Sequence, residues 1–383
     1  MDFDLRAHTH LLVVGGSRAY GTARPDSDVD IKGVCIPPAR YFHGCLHRFE
    51  QADKPEHAQS FTDLLTPMEQ DIVKATKVEG TVFSLTKFMA LATEGNPNLW
   101  DVLWVRDEEV RLQTPLGKKL RDNRDLFLSA RARFSFAGYS AAQLKRIKGH
   151  RAFLLHPVDH KPTRGEFGLP ENTLLPADHL AAVRAAVQKQ IDVWQVNFEG
   201  VSDTEKIRVE NLIAEHLTEM RVALGYDSTE DAKWMAAART VGLDDNLILV
   251  MQREREYEGA FRRWKQFENW KENRNKDRAA IEAEFGLDLK HAMHLVRLLR
   301  MCREILTTGK VNVWREDAAD LLAIRGGSMT YDQIVEWSEK ADKELDALYK
   351  AKQYVIPHEP DRKAIDRLCV ELVETALSEG VTA

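Results

Sequence analysis

Cysteine and long apolar runs are scarce in this 383-residue chain. Its four cysteines, Cys35, Cys45, Cys302 and Cys369, form no Cys-x-x-Cys pair, which argues against a disulfide framework. No apolar stretch reaches the roughly 18 residues that a membrane span needs. The opening residues, MDFDLRAHTH, lack the basic and apolar regions of a signal peptide. We therefore expect a cytoplasmic protein with no membrane partner.

The chain also lacks an excess of basic residues. It has 54 Lys and Arg against 60 Asp and Glu, a net charge of -6, so nucleic-acid contact would need a local basic patch. Hydrophobic residues make up 44% and charged residues 30%, which excludes global disorder. The length predicts two domains. Nothing in the sequence indicates the oligomeric state.

Strand patterns are confined to the first part of the chain. The apolar run 11–14 ends in two glycines, and 29–36 and 75–85 also favour strands around a loop-rich insertion at 39–70. A helix is predicted from Ser84 to a glycine C-cap at Gly95, followed by a turn that begins another helix.

Helical periodicity dominates after residue 110. The pattern predicts helices at 176–198, 203–224, 229–241, 246–284, 288–307, 330–352 and 360–380. We therefore predict an α+β protein, with a small mixed β-sheet in a catalytic domain at 1–110 and a mostly α-helical domain at 111–383. The active site is expected in the cleft between them.

The glycine pair after the first strand predicts a phosphate site. Gly15 and Gly16 let the backbone approach a ligand closely. A helix beginning near Ser17 would direct free N–H groups at that ligand, and the Ser17 hydroxyl could add a donor. Arg18 is either an assisting cation or part of a surface ion pair. These four residues are the candidate nucleotide-binding residues of the first domain.

Asp28 and Asp30 lie two residues apart. On a strand, both side chains would point to one face, about 6.5–7 Å apart along the chain. Carboxylates at that spacing can hold two metal ions about 3.5–4 Å apart. Mg²⁺ or Mn²⁺ is needed because unpaired carboxylates would repel a triphosphate such as ATP. The pattern predicts a two-ion site and an NTP substrate.

Three other interpretations of this stretch are a calcium loop, a P-loop and a solvated turn. A calcium loop needs Gly and Glu where the chain has Ile31 and Pro37. A P-loop needs Lys-Ser or Lys-Thr where the chain has Thr22-Ala23. A solvated turn between two strands stays open, since an isolated Asp-x-Asp pair is usually one.

The motif Gly-Ser-Arg-x-x-Gly at 16–21, with Ser-Asp-x-Asp-x-x-Gly-Val at 27–34, resembles the signature of the DNA polymerase β-like nucleotidyltransferase superfamily. Within it, the chain looks like the RlaP type, which is associated with RNA repair. Phe83–Phe88, Gly95–Asn98, Lys290–Leu299 and Thr308-Gly309 extend this resemblance.

The resemblance implies a third carboxylate from a neighbouring strand. Glu79 is the candidate, although many members have Asp there, and Asp71 is the fallback. The alternative for Glu79 is an exposed strand or turn carboxylate. Asp28 and Asp30 would hold both metals, and Glu79 would bind the metal nearer the acceptor and help deprotonate its hydroxyl. These three are the predicted catalytic and metal-binding residues.

Lys290, His294 and Arg297 fall at i, i+4 and i+7, so one helix face carries three cations. We interpret them either as a nucleotide-binding clamp for the triphosphate or as an exposed basic face.

Two further groups of residues carry basic, aromatic or metal-ligating side chains. Residues 131–164 hold eight Lys or Arg and interleaved aromatics, which indicates an RNA-contacting patch or an amphipathic helix with core aromatics. His43, Cys45 and His47 near Cys35 have the residue types of a zinc site, but not its usual spacing. Cys302 and Cys369 are expected in the core.

The sequence thus predicts metal-dependent transfer of an NMP from an NTP to a hydroxyl, with RNA or an RNA-related molecule as acceptor. Two alternatives stay open. One is the same chemistry on a protein, as in AMPylation, or on a small molecule. The other is a non-catalytic nucleotide- or RNA-binding module.

Overall fold

A computed structural model describes residues 2–25, 27–173, 177–193, 229–273 and 285–379, together with isolated positions between 205 and 219 and Glu282. The predicted helix at 203–224 lies outside these residues apart from the isolated positions. Asp26 also lies outside the described residues, as do positions 274–281, 283 and 284 of the helix predicted at 246–284.

The described residues confirm the α+β prediction. The five strands are β1 (Thr9–Val14), β2 (Val29–Cys35), β3 (Gln51–Ala52), β4 (Val78–Ser84) and β5 (Val110–Gln113). They form one mixed sheet in the order β3-β4-β2-β1-β5, in which β2 and β4 are parallel and the other neighbours are antiparallel.

Helices cover the sheet and make up most of the later chain. The first eight are α1 (Gly16–Ala19), α2 (Arg40–His43), α3 (Pro55–Gln59), α4 (Pro67–Ala75), α5 (Leu85–Thr93), α6 (Pro97–Trp104), α7 (Pro115–Asp122) and α8 (Ala132–Leu155). The later ones are α9 (Ala177–Val193), α10 (Thr229–Thr240), α11 (Asp245–Asn273), α12 (Leu289–Thr308), α13 (Ala318–Arg325), α14 (Tyr331–Lys350) and α15 (Arg362–Ser378). None of the described helices has the length and apolarity to cross a membrane.

Local signals explain several of these boundaries. The Ser84 side chain caps α5, and Gly95 follows that helix with φ +73, a left-handed conformation that glycine adopts without strain. Asn96 then caps α6, which has proline at its first position. The insertion at 39–70 is less irregular than predicted, because it contains short helices, the β3 strand and the start of α4.

The sheet separates two apolar cores. Along β2, alternate side chains point to opposite faces. Val34 joins Leu11 and Val13 in the larger core, which includes α5, α6, α8 and α12. Val29 and Ile31 join the smaller core on the other face. Asp30 therefore lies on the face of β2 that carries the larger core.

The chain packs as two compact units. One comprises Met1–Leu155 with Asn275–Ala383, and the other comprises His156–Arg274. The first unit contains the sheet and α12. The second has its own core around Val187, Ala238 and Ile248. The sequence-based division into 1–110 and 111–383 stays a prediction.

Candidate active site

The turn after β1 brings backbone and carboxylate into close contact. The Gly15 N–H donates to the Asp30 carbonyl at 2.8 Å. Gly16 has φ +59, and a Cβ built there would lie 2.0 Å from Asp30 Oδ2. Only glycine fits this position, for both conformational and steric reasons. The Asp30 carboxylate thus lies directly over the glycine pair, which the sequence predicted as an anion site.

The helix predicted near Ser17 is a single turn, α1. The N–H groups of Ala19 and Tyr20 donate to the carbonyls of Gly15 and Gly16. The first amides of the turn have no intrahelical acceptor, so the Ser17 and Arg18 N–H groups are the ones that could contact a ligand. A single turn has only a small dipole, so local N–H donors would dominate any phosphate contact.

Arg18 holds the loop that leads to the carboxylates. Its Nη2 donates to the Ser27 carbonyl at 2.7 Å, and both interpretations of Arg18, an assisting cation and a surface ion pair, stay predictions. Because Ser27 precedes Asp28, this hydrogen bond connects the glycine turn to the beginning of the Asp-x-Asp motif.

Strand register places two predicted carboxylates side by side. In the parallel pair β2–β4, Asp30 lies opposite Glu79, and directly paired residues project to the same face. Asp28 precedes β2 and is exposed, as is Glu79. Asp71 lies on α4 and forms an exposed ion pair with Lys74 at 2.7 Å. The register therefore favours Glu79 over Asp71 as the neighbour of Asp30.

The pKa of Asp30 is raised above its usual range. Burial is the main cause, and Glu79 and Asp28 add to it by repulsion, while Lys32 and Lys290 oppose it. The three carboxylates do not all lie within 4.8 Å of one another. A two-ion site at these carboxylates stays a prediction. Mutual repulsion is what a bound cation would relieve.

The cationic face of α12 points into the protein. Lys290 is close enough to Asp30 to stabilise its charged form. His294 is half-buried, and burial with neighbouring Arg297 and Lys290 lowers its pKa well below 6.5, so it is neutral near pH 7. Arg297 is 4% exposed, and its guanidinium lies 3.8 Å from the Tyr20 ring centroid. The interpretation as an exposed basic face is wrong, whereas the triphosphate contact stays a prediction.

Sequence reasoning missed a buried polar network beside these residues. The Tyr20 hydroxyl donates to Asp101 Oδ2 at 2.5 Å, and Lys32 Nζ donates to the Asn98 carbonyl at 3.1 Å. Burial lowers the pKa of Lys32, and Asp101 and Asp30 partly offset this. The sequence could have predicted Lys32 as a site residue, because Lys32 follows Asp30 by two positions and so lies on the same face of the strand. No sequence pattern indicated Asp101.

Part of the basic stretch at 131–164 is buried in the protein interior. Phe136 is fully buried, and Arg133, 7% exposed, pairs with Asp342 at 2.8 Å. Lys145, Arg146 and Lys148 are exposed on α8. The helix is present as α8, but its aromatics are only partly in the core, since Phe134 is 59% exposed, and RNA contact stays a prediction.

The remaining cysteine interpretations have mixed outcomes. Cys35 is buried in β2 and Cys45 is exposed. Within the described ranges, these two cysteines with His43 and His47 do not form a metal-ligating group. Cys302 is buried as predicted, whereas Cys369 is only partly buried.

Comparison with known proteins supports the motif assignment. Residues 6–156 match the family described as RlaP, the RNA repair pathway DNA polymerase beta family. This confirms the resemblance seen in the motifs and indicates a nucleotidyltransferase. A 149-residue stretch is 32% identical to an uncharacterized 38.9 kDa protein in the nrdC-mobD intergenic region of Enterobacteria phage T4, covering 37% of this chain and 40% of that protein. The comparison thus spans less than half of that relative. No solved structure matches the chain.

Proposed function

We propose that this chain is a metal-dependent nucleotidyltransferase that moves an NMP from an NTP onto a hydroxyl of RNA or an RNA-related molecule. The premise is the match of residues 6–156 to the RNA repair pathway DNA polymerase beta family. The observation that carries the proposal is the register pairing of Asp30 with Glu79, beside a glycine turn that the Asp30 carboxylate covers.

Asp28, Asp30 and Glu79 would hold two Mg²⁺ or Mn²⁺ ions. Bound there, the ions would neutralise the triphosphate and stabilise charge on the transferring phosphate. The residues fit this role, because their oxygens suit hard cations and burial and mutual repulsion raise the pKa of Asp30.

The surrounding residues would bind and orient the nucleotide. The Ser17 and Arg18 amides, beside Gly15 and Gly16, would hold the β- and γ-phosphates. Lys290 would add a positive charge, and neutral His294 could donate a hydrogen bond. Arg297 would act through Tyr20, on which it stacks. These contacts supply positioning, on which phosphoryl chemistry mainly depends.

The reaction exchanges one P–O bond for another. The acceptor hydroxyl oxygen forms a bond to the α-phosphorus while the bond to the β-bridging oxygen breaks and pyrophosphate leaves. Glu79 would take the hydroxyl proton, and its exposure leaves it open to an incoming RNA end. Lys145, Arg146 and Lys148 on α8 would contribute to RNA attraction.

The test uses NTPs labelled at the α-phosphate, incubated with Mg²⁺ and either RNA fragments, a protein mixture or small polyols. We expect label on RNA and release of pyrophosphate. Asp30→Asn should lower transfer by roughly 10³-fold without changing the unfolding midpoint by more than a few degrees. Full activity of this variant would exclude the assignment.

A matched pair identifies the third carboxylate. Glu79→Gln should lower transfer strongly, whereas Asp71→Asn, which breaks only an exposed pair with Lys74, should leave it nearly unchanged. The opposite result would assign the role to Asp71.

In the labelling experiment, label on protein or on a small molecule would identify that molecule as the acceptor in place of RNA. NTP binding without pyrophosphate release would support a non-catalytic module.

A further inference from the structure

A second cluster of metal-ligating side chains lies outside the candidate active site. His150 is on α8, and Asp288 and His291 are at the beginning of α12. Over the part of the chain that the structure describes, this is the one group of three or more His, Cys, Asp or Glu residues whose ligand atoms all lie within 4.8 Å of one another. Two helices that are far apart in sequence but packed together thus bring these ligand types to one point.

The distances match a shared cation. Asp288 Oδ2 is 3.5 Å from His291 Nε2 and 3.9 Å from His150 Nδ1. Ligands bound tetrahedrally at 2.0–2.2 Å from one Zn²⁺ would be about 3.4 Å apart. Shifts of a few tenths of an ångström for these two pairs would therefore bring the three atoms toward a common ion.

Neighbouring groups already orient two of the three ligands. His291 Nδ1 is 2.7 Å from Gln143 Oε1, so Nδ1 donates to that amide oxygen and Nε2 is the ring nitrogen that faces Asp288. Asp288 Oδ1 accepts the His291 N–H at 3.0 Å as the N-cap of α12, while Oδ2 faces the two imidazole rings. Such outer contacts typically fix metal-ligating His and Asp.

The charge at this point also favours a cation. The side chain of Asp288 is 6% exposed, while those of His150 and His291 are 23% and 20% exposed. Glu282 is 4% exposed and hydrogen-bonds to Asp288. Two buried acids beside two histidines are costly unless a proton or a cation balances them.

We infer that His150, Asp288 and His291 form a binding site for one divalent transition metal, with Zn²⁺ best suited to the ligand set. The ion would join the C-terminal part of α8 to the first turn of α12. Lys290 and His294 lie on that same part of α12, so the ion would also hold this helix face in place. The inference does not depend on the proposed function.

The test measures metal directly. Full-length protein, stripped with a chelator, is titrated with Zn²⁺ and with Co²⁺, whose visible absorption reports nitrogen and oxygen ligation. An Asp30→Asn background removes a ligand of the proposed Mg²⁺ site. We expect about one bound ion per chain and a raised unfolding temperature with Zn²⁺.

Two variants and a control decide the result. Asp288→Asn keeps an N-cap residue but loses the carboxylate, and His150→Gln removes a ligand from the other helix. Each should lower Zn²⁺ affinity at least 10-fold and abolish the Co²⁺ spectrum. His160→Gln, a change at a histidine 68% exposed in its side chain, should bind like the parent. Equal binding by all four proteins, or no binding by the parent, would overturn the inference.

Discussion

Gly16 is the residue at which the candidate active site is most sensitive to a single added methyl group. Gly16→Ala would place Cβ 2.0 Å from Asp30 Oδ2 at φ +59. We expect nucleotide transfer to fall at least about 100-fold and the free energy of unfolding to fall by roughly 1–3 kcal/mol. Urea unfolding and steady-state kinetics measure the two effects.

Gly15→Ala is the matched control for stability. Gly15 has φ -110, and its added Cβ would meet the Lys32 side chain at 3.7 Å, an ordinary contact. The free energy of unfolding of the Gly15→Ala variant should therefore stay within about 1 kcal/mol of that of the parent protein. If Gly16→Ala were equally mild, the Asp30 carboxylate would not lie where the structure places it.

His10 gives a pH-dependent prediction. Burial is the main cause that lowers the pKa of His10 to about 4, and the nearby His8 adds to the effect. In the unfolded chain, the pKa of a histidine is about 6.5. The folded state therefore binds fewer protons between these values. The contribution of His10 to the free energy of unfolding is fully present above pH 6.5, and it is lost as the pH falls toward 4.

The matched variant is His10→Asn, which keeps a partner for the Thr114 hydroxyl, 3.0 Å from His10 Nδ1. Urea unfolding at pH 7.5, 6.5 and 5 should show the stability of the wild type, relative to the variant, falling by roughly 1–2 kcal/mol at the lowest pH. A difference that does not change with pH would mean that His10 keeps an ordinary pKa.

At the scale of elements, a buried ion pair joins α4 to β5. Arg111 Nε donates to Glu69 Oε2 at 2.9 Å, and each side chain is 9% exposed. Burial alone would raise the pKa of Glu69, but Arg111 and the Thr66 amide lower it overall. Arg111→Met leaves a buried carboxylate without its partner, and we expect a loss of about 3–5 kcal/mol in urea unfolding.

The exposed pair Lys118–Asp122 is the control, since its side chains are 62% and 58% exposed. Lys118→Met should cost at most about 1 kcal/mol. Adding Glu69→Met to Arg111→Met should recover part of the loss, because no charge then stays buried. A double variant less stable than Arg111→Met would mean that Glu69 contributes mainly through its Thr66 cap.

Sequence patterns predicted elements better than their pairing. The strands predicted at 11–14 and 29–36 match β1 and β2 to within two residues, because short apolar runs end at glycine or proline. The β5 strand was missed because its alternation of apolar and polar residues, Val-Arg-Leu-Gln, spans only four positions. The helix α8 was not among the periodic segments, since glycines and buried polar residues interrupt its pattern.

Long-range contacts explain what the sequence could not predict in the site. Glu79 was proposed from resemblance, because no local pattern states which residue pairs with Asp30 across a parallel sheet. Asp101 meets Tyr20 across 81 positions, and His150 meets Asp288 between two helices. Only the fold brings such residues together.

For the whole molecule, the two compact units predict separable folding. The two apolar cores on the faces of the sheet contain no described residue from 156–274. The described residues of that segment have a separate core. Arg151 donates to the Gly286 carbonyl at 3.2 Å, so the end of α8 and the approach to α12 are close. Replacing residues 156–274 by a Gly/Ser linker of about eight residues should therefore be tolerated.

All predicted site residues lie outside the deleted segment, so the shortened protein should keep its fold and its nucleotide affinity. We expect one cooperative unfolding transition, with a midpoint within about 5 °C of the parent, and NTP binding by calorimetry weakened less than about threefold. The same deletion with Asp30→Asn controls for binding elsewhere. Loss of the cooperative transition would mean that the two units fold as one, whereas a folded protein without NTP affinity would mean that residues 156–274 contribute to the nucleotide site.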